Sequence, residues 1–93
     1  MNITTPGNVV KREIKILALI NSSIEQRHRP PTIQEIGDEL GWSSKATTSS
    51  HLQQMKDAGL IKSEPNRPRT LEVTDKGVKY FETWGGIIRD QTR

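Results

Sequence analysis

Small side chains with hydroxyl or amide groups are concentrated in residues 43–53, SSKATTSSHLQ. Such groups donate and accept hydrogen bonds without a charge, whereas an exposed helix face usually carries Glu and Lys. At about 100° per residue, the apolar positions fall on one arc that must face a core. That arc holds Thr48, Leu52 and Met55, with His51 at its edge; Ala46, Thr47, Ser49, Ser50 and Gln53 project elsewhere. Such a face fits a DNA major groove about 12 Å wide, although a low-propensity helix held only by packing is the alternative.

The segment before this helix carries the signals of a helix-turn-helix. Two prolines, Pro30 and Pro31, end any preceding helix. Thr32 and Glu35 have the spacing of a capping box, and Gly41 can take the left-handed conformation that ends a helix. The predicted apolar stripe of this short helix is Ile33, Ile36 and Leu40, and the predicted caps of the next helix, residues 44–58, are Ser43 and Ser44. An ordinary helical hairpin would give the same signals.

Two short apolar runs, residues 60–63 and 70–73, follow and predict a β-hairpin. The six residues between them, EPNRPR, contain two prolines that stiffen the tip and two arginines, Arg67 and Arg69. A stiff basic hairpin beside a helix-turn-helix has the form of a wing that can reach an adjacent DNA groove. A charged surface loop is the alternative.

The two ends of the chain differ in character. Residues 1–7 predict a loose polar arm. An amphipathic helix follows from about Val9 to about Arg27, with its apolar face formed by Val9 or Val10, Ile16 or Leu17, Ile20 and Ile24. Three cations lie near its start, Lys11, Arg12 and Lys15, and they form either a solvated face or a contact with the DNA backbone.

Thr74 can cap a last helix that is predicted to end at Gly85 and Gly86. The helix and the residues after it are rich in large apolar side chains: Tyr80, Phe81, Trp84, Ile87 and Ile88. These residues predict a dimer interface, because aromatic residues are enriched where proteins associate. The alternative is that Phe81 and Trp84 only close the core of the monomer.

Length and composition limit the classes of protein to consider. The 93 residues suffice for one domain, the chain has no cysteine, and no run approaches the roughly 20 apolar residues of a membrane span. These features predict a cytoplasmic protein without disulfides or a zinc finger. An enzyme is not expected, because the two histidines, His28 and His51, lie on different elements and no phosphate loop, metal motif or acidic pair is present.

The charge distribution separates the parts of the chain. The net charge is +3 over residues 1–31, −3 over residues 32–42 and +2 over residues 43–73. The acidic helix should therefore turn its Asp and Glu side chains away from DNA, while its N-terminus can hold a phosphate. The predicted base contacts are Ser44, Lys45, Ala46, Thr47, Ser49, Ser50 and Gln53. The predicted backbone and wing contacts are Arg29, Thr32, Gln34, Ser43, Asn66, Arg67 and Arg69.

Three stretches, RPPTIQEIGDELGW, HLQQMKDAGLI and EPNRPRTLEV, together with Ser44, resemble the DNA-binding domain of the LexA repressor family over roughly residues 9–74. The resemblance implies a winged helix-turn-helix that binds operator DNA as a dimer, with Ser44 and residues 46, 47, 49 and 50 facing bases. The family continues into a self-cleaving peptidase domain; this chain has no room for one, so self-cleavage is not expected. The ending, VTDKG and an aromatic helix, is similar to the MarR-like regulators, whose terminal helices form the dimer.

The expected fold is mainly α with a small β-hairpin: a winged helix-turn-helix of three helices, a two-stranded wing and an extra C-terminal helix. Residues 8–73 are the expected DNA-binding domain and residues 74–93 a dimerisation element and tail. The expected function is that of a transcriptional regulator, with repression favoured over activation. It is expected to bind a double-stranded DNA operator as a homodimer, without metal or cofactor. The alternative is a winged-helix module that binds a protein partner.

Overall fold

A computed structural model describes residues 8–64 and 70–91 of the chain. Its elements are α1 (Asn8–Arg27), α2 (Ile33–Leu40), α3 (Lys45–Asp57), β1 (Ile61–Lys62), β2 (Glu72–Val73) and α4 (Asp75–Gln91). The two strands pair antiparallel, with Ile61 opposite Val73 and Lys62 opposite Glu72. The predicted class, mainly α with a small β-hairpin, is confirmed. Asn66, Arg67 and Arg69 of the predicted wing lie outside the described residues.

The turn between α2 and α3 has the geometry that its residue types predict. The hydroxyl of Thr32 accepts from the N–H of Glu35, and the Glu35 carboxylate accepts from the N–H of Thr32, so the capping box is present. Gly41 ends α2 at φ 77°, in the left-handed region where a side chain would be strained. The N–H of Trp42 then donates to the carbonyl of Gly37 over 2.8 Å. This turn fixes the direction in which α3 leaves α2.

Gly37 allows α2 and α3 to approach closely. A Cβ atom at this position would lie 2.8 Å from Oγ1 of Thr48 and 3.3 Å from the carbonyl oxygen of Trp42. Both Gly37 and Thr48 are buried. The small residue in α2 therefore sets the depth at which α3 packs, and with it the position of the exposed face of α3.

The core lies where α1 meets α2, α3 and the hairpin. It consists of Ile14, Ile16, Leu17, Ile20, Ile36, Leu52, Met55, Leu60, Ile61 and Leu71. The buried arc predicted for α3 is confirmed, since Thr48, Leu52 and Met55 are at most 3% exposed. Two of the predicted apolar positions are wrong: Ile24 and Ile33 are exposed. Ile24 lies one turn beyond Ile20, towards the end of α1, and Ile33 is the first residue of α2, so both lie at the margin of the core.

The start of α4 is tied to the loop that follows α3. The hydroxyl of Thr74 accepts from the N–H of Gly77 over 3.0 Å and donates to the carbonyl of Gly59, and the N–H of Thr74 donates to the carbonyl of Leu60. The predicted cap at Thr74 is therefore present. The predicted end of this helix is wrong, because α4 continues through Gly85 and Gly86 to Gln91. A glycine costs a helix only about 1 kcal/mol, and no proline follows to stop it. None of the described helices is long and apolar enough to cross a membrane.

Candidate nucleic-acid interface

The residues predicted to contact bases form one exposed face at the first three turns of α3. Lys45, Ala46, Thr47, Ser49, Ser50 and Gln53 are all exposed, as is the cap residue Ser44. Of these side chains only Lys45 carries a charge. Small uncharged side chains let the helix backbone approach a groove floor closely, and their hydroxyl and amide groups can bond to base edges.

Ser44 has a structural role as well as an exposed position. Its side-chain oxygen accepts from the N–H of Thr47 over 3.4 Å, which caps the start of α3. Its carbonyl accepts from the hydroxyl of the buried Thr48 over 3.3 Å. The Ser44 hydroxyl proton is not used by the capping bond, so the same side chain can hold the helix start and donate to DNA.

The side chain of Gln53 is hydrogen-bonded within its own helix. Its side-chain amide donates to the carboxylate of Asp57 over 3.0 Å, four residues further on. An amide held in this way has a fixed direction, and the Asp57 carboxylate adds a negative charge beside the exposed face. The i, i+4 spacing of Gln53 and Asp57 in the sequence is the signal that could have predicted this hydrogen bond.

The N-terminus of α2 is a weaker anion site than the sequence analysis assumes. The capping box uses the N–H groups of Thr32 and Glu35, which removes two donors from a bound phosphate. The Glu35 carboxylate lies at the same end, and its charge is partly offset by Arg27, whose Nη1 is 2.9 Å from Oε2. Gln34 donates to Asp38 over 3.0 Å. A phosphate contact here would therefore depend on the Thr32 hydroxyl and a reoriented Gln34 side chain.

Two of the remaining predicted backbone contacts, Arg29 and Ser43, lie within the described residues. Arg29 and Ser43 are exposed, and they lie before α2 and before α3 respectively. The carbonyl of Arg29 accepts from the hydroxyl of Ser23 over 2.8 Å, which holds the bend after α1. His28 within this bend has φ 59°, a left-handed conformation that the sequence analysis missed.

The flank of α3 behind its exposed face is formed by stacked rings. Trp42 and His51 stack with ring centroids 4.3 Å apart and planes 23° apart. Nδ1 of His51 is buried and has no hydrogen-bond partner among the described residues. Burial, and then the positive charge of Arg12 in α1, lower the pKa of His51 below its usual 6.5. The positive charge of Arg12 in α1 thus acts on the flank of α3, a long-range effect that no local sequence signal could reveal.

The residues predicted to form a dimer divide into two groups. Tyr80, Phe81 and Trp84 are half-buried and pack against the core of the monomer. The Tyr80 hydroxyl donates to the Glu13 carboxylate over 2.6 Å, and burial together with this bond raises the pKa of Tyr80. The side chains of Ile87 and Ile88 lie outside the described residues.

These elements define the class of the protein. A short helix, a left-handed turn, a second helix that exposes mainly small polar side chains and an adjoining two-stranded hairpin constitute a winged helix-turn-helix of the kind that binds DNA. Among the described residues, no group of His, Asp or Glu side chains could hold a metal ion.

Comparison with known proteins assigns the family. The model of the LexA DNA-binding domain matches residues 8–70, and the chain therefore belongs to this family. It is 46% identical over 71 residues to the LexA repressor of Lacticaseibacillus casei (strain BL23), covering 76% of this chain and 34% of that protein. It is 35% identical over 68 residues to the LexA repressor of Bacillus subtilis (strain 168), covering 73% of this chain and 33% of that protein. The chain spans about one third of the length of these relatives.

A solved structure supports the fold over a longer stretch. MepR, a transcription regulator of the Staphylococcus aureus multidrug efflux pump MepA, matches with a TM-score of 0.64 and 18% identity, covering 87% of this chain and 58% of that one. The uncovered part of the chain is shorter than the 17 residues of α4, so the match includes part of α4. The predicted winged helix-turn-helix with an extra C-terminal helix is confirmed as a fold.

Proposed function

We propose that this domain is a sequence-specific double-stranded DNA-binding regulator that represses transcription, with α3 as the recognition helix. The first three turns of α3 enter the major groove and contact bases through Ser44, Lys45, Ala46, Thr47, Ser49, Ser50 and Gln53. Residues 8–73 form the DNA-binding unit, and residues 74–93 are a C-terminal helix and tail that can pair with a second copy. The relatives that are named as repressors support the regulatory role.

One observation carries this proposal: over the first three turns of α3, residues 45–53, the exposed side chains are uncharged apart from Lys45, while the opposite face is fixed in the core. A face built for solubility would hold long charged side chains. A helix that is rigidly placed and bears short hydroxyl side chains can instead hold its donors and acceptors at the depth of base edges.

The phosphate contacts follow from the same docking. With α3 in the groove, the start of α2 and the hairpin flank it, and the backbone contacts are then Arg29, Thr32, Gln34 and Ser43, with Asn66, Arg67 and Arg69 on the wing. The acidic residues of α2, such as Asp38 and Glu39, must point away from the phosphates. A positively charged wing beside an acidic helix would therefore favour one orientation of the domain on DNA.

The proposed function is tested by gel shift on the DNA upstream of the chain's own gene, with a salt series and unrelated competitor DNA. A complex that survives excess unrelated DNA and weakens as salt rises supports the proposal, because phosphate contacts release counterions on binding. A complex lost to any competitor equally would mean binding through charge alone. If no DNA is shifted at low salt, the proposal is contradicted and a protein partner becomes the better interpretation of the α3 face.

A further inference from the structure

A groove of about 480 Å³ adjoins the proposed DNA-contact surface and shares Thr32, Gln34 and Lys45 with it. Its walls are the start of α2, one edge of α3 and the ends of the two hairpin strands. The residues that matter here are Pro31, Ile33, Leu52 and Leu71, which are apolar, and Lys45 and Lys56, which are cationic. Volumes of this size are typical of sites for small organic molecules.

The apolar part of the groove reaches from the core to the surface. Leu52 and Leu71 belong to the core and are 3% and 8% exposed, whereas Ile33 is 38% exposed. The Ile33 side chain exposes apolar surface to water. Burying that surface under an apolar ligand would favour binding by about 25 cal/mol for each Å² removed from water. This arrangement supplies a hydrophobic wall that a ligand can complete.

Both charged side chains in the described lining of the groove are positive. Lys45 and Lys56 are eleven residues apart on α3, about three turns or 16 Å, so that an ammonium group can reach the groove from each end. The other polar side chains of the described lining, Thr32, Gln34, Ser63 and Thr70, are neutral, and this lining includes no Asp or Glu. An anion would therefore find attraction without a competing carboxylate.

We propose that this groove binds a small organic anion: a carboxylate or sulfonate carried on an aromatic or branched hydrocarbon. The hydrocarbon packs on Ile33, Leu52 and Leu71, and the anionic group pairs with Lys56 or Lys45. Because Lys45 and Thr32 are also DNA contacts in the proposed function, bound ligand and DNA would compete for them. The ligand would then lower DNA affinity, and DNA would lower ligand affinity by the same factor. This second part rests on the proposed function, whereas ligand binding itself does not.

Binding is tested without DNA, by titrating the whole ¹⁵N-labelled chain with 2-naphthoate and, separately, with its neutral analogue 2-naphthamide. The expected result is that 2-naphthoate shifts the amide signals of residues 32–34, 52–56 and 71, and that 2-naphthamide binds roughly threefold to tenfold more weakly because it lacks the charge. Equal affinity for the two probes, shifts centred elsewhere, or no shift up to the solubility limit would each overturn the proposal.

Two variants separate charge in the groove from charge elsewhere. Lys56→Gln should weaken 2-naphthoate about twofold to fivefold, as expected for one partly exposed ion pair, and leave 2-naphthamide unchanged. Lys79→Gln, an exposed lysine on α4 with the same charge change, is the control and should bind both probes as the wild type does. A loss equal in the two variants would overturn the proposal. Both variants are first checked for an unchanged thermal transition.

The coupling to DNA is measured as the fluorescence anisotropy of a labelled duplex with and without saturating 2-naphthoate. A lower DNA affinity supports competition at Lys45 and Thr32. If 2-naphthoate binds the groove while DNA affinity is unaltered, the site exists but the competition is wrong. If the chain binds no DNA at all, the proposed function fails and the NMR result still decides the groove.

Discussion

His51 combines a ring-stacking contact with a buried ring nitrogen. It closes the flank of α3 by stacking on Trp42, yet its buried Nδ1 has no hydrogen-bond partner among the described residues. The sequence places His51 at the core edge, and this position is confirmed. The stacking with Trp42, nine residues earlier, could not be predicted because it depends on how the turn at Gly41 returns the chain to α3.

This environment predicts that stability falls as the solution becomes acidic. The folded chain holds the pKa of His51 below 6.5, so the unfolded chain takes up a proton first when pH falls. The free energy of unfolding should therefore be at its full value above about pH 6.5 and decrease between there and the lowered folded pKa. Urea denaturation from pH 7.5 to pH 5.5 measures it. His51→Phe, which keeps a ring on Trp42, should flatten the dependence.

His28→Asn is the matched control, since it removes the other histidine and asparagine tolerates the left-handed conformation at that position. It should retain the wild-type slope. If wild type, His51→Phe and His28→Asn have the same slope over this range, the environment assigned to His51 is wrong.

The secondary-structure elements differ in how much of their structure could be predicted from their own residues. The capping box of Thr32 and Glu35, the end of α2 at Gly41 and the buried arc of α3 could all be predicted, because each depends on residues within about one or two turns. The length of α4 could not, since the two glycines resemble a helix end and only the surrounding structure shows that the helix continues. The Tyr80–Glu13 hydrogen bond joins residues 67 apart, a distance at which periodicity carries no information.

Gly77 determines how closely α4 can dock. A Cβ atom there would lie 2.1 Å from the carbonyl oxygen of Leu60 and 2.7 Å from Cγ1 of Val73, so backbone would have to move. We expect Gly77→Ala to destabilise the domain by about 1–3 kcal/mol despite the better helix propensity of alanine. Thermal and urea unfolding measure this.

Gly85→Ala is the matched control within the same helix. Its nearest neighbour would be the ring of Phe81 at 4.0 Å, so alanine fits and should stabilise by about 0.5–1 kcal/mol. If the two variants change stability equally, α4 does not dock through Gly77 as described.

Arg67 and Arg69 lie outside the described residues, and their role as a wing stays a prediction from the residue types. The double variant Arg67→Ala, Arg69→Ala should weaken DNA binding and reduce the salt slope by about one for each phosphate contact removed. If an arginine enters the minor groove instead, the preference for flanking A·T pairs should change.

The wing experiment uses Lys79→Ala as its control, since that residue is exposed and belongs to α4 rather than to the hairpin. A salt slope and a flanking preference that both stay as in wild type would leave the tip as a solvent loop.

At the scale of the whole molecule, one winged helix offers a small surface for tight and specific DNA binding. Two copies on half-sites one helical turn apart would double that surface. Tyr80, Phe81 and Trp84 pack on the core but remain half-exposed, so they can contribute both to the monomer and to a second copy. We therefore expect α4 to form a dimer.

Sedimentation equilibrium tests the dimer with wild type, Trp84→Ala and the control Thr83→Ala, an exposed neighbour on the same helix. Wild type and Thr83→Ala should associate at micromolar concentration, and Trp84→Ala should dissociate while circular dichroism shows it folded. A wild-type chain that stays monomeric at high micromolar concentration, with and without operator DNA, would contradict this role of α4.

The central claim is that the exposed face of α3 reads base sequence. The most direct measurement is the ratio of specific to non-specific affinity, determined at one salt concentration for wild type, Thr47→Ala, Ser49→Ala, Ser50→Ala and the control Thr83→Ala. We predict that each of the three α3 substitutions lowers the ratio, by up to about 1–3 kcal/mol where a base contact is lost, and that Thr83→Ala leaves it unchanged. If all three bind the best operator with the wild-type ratio, α3 does not read the DNA.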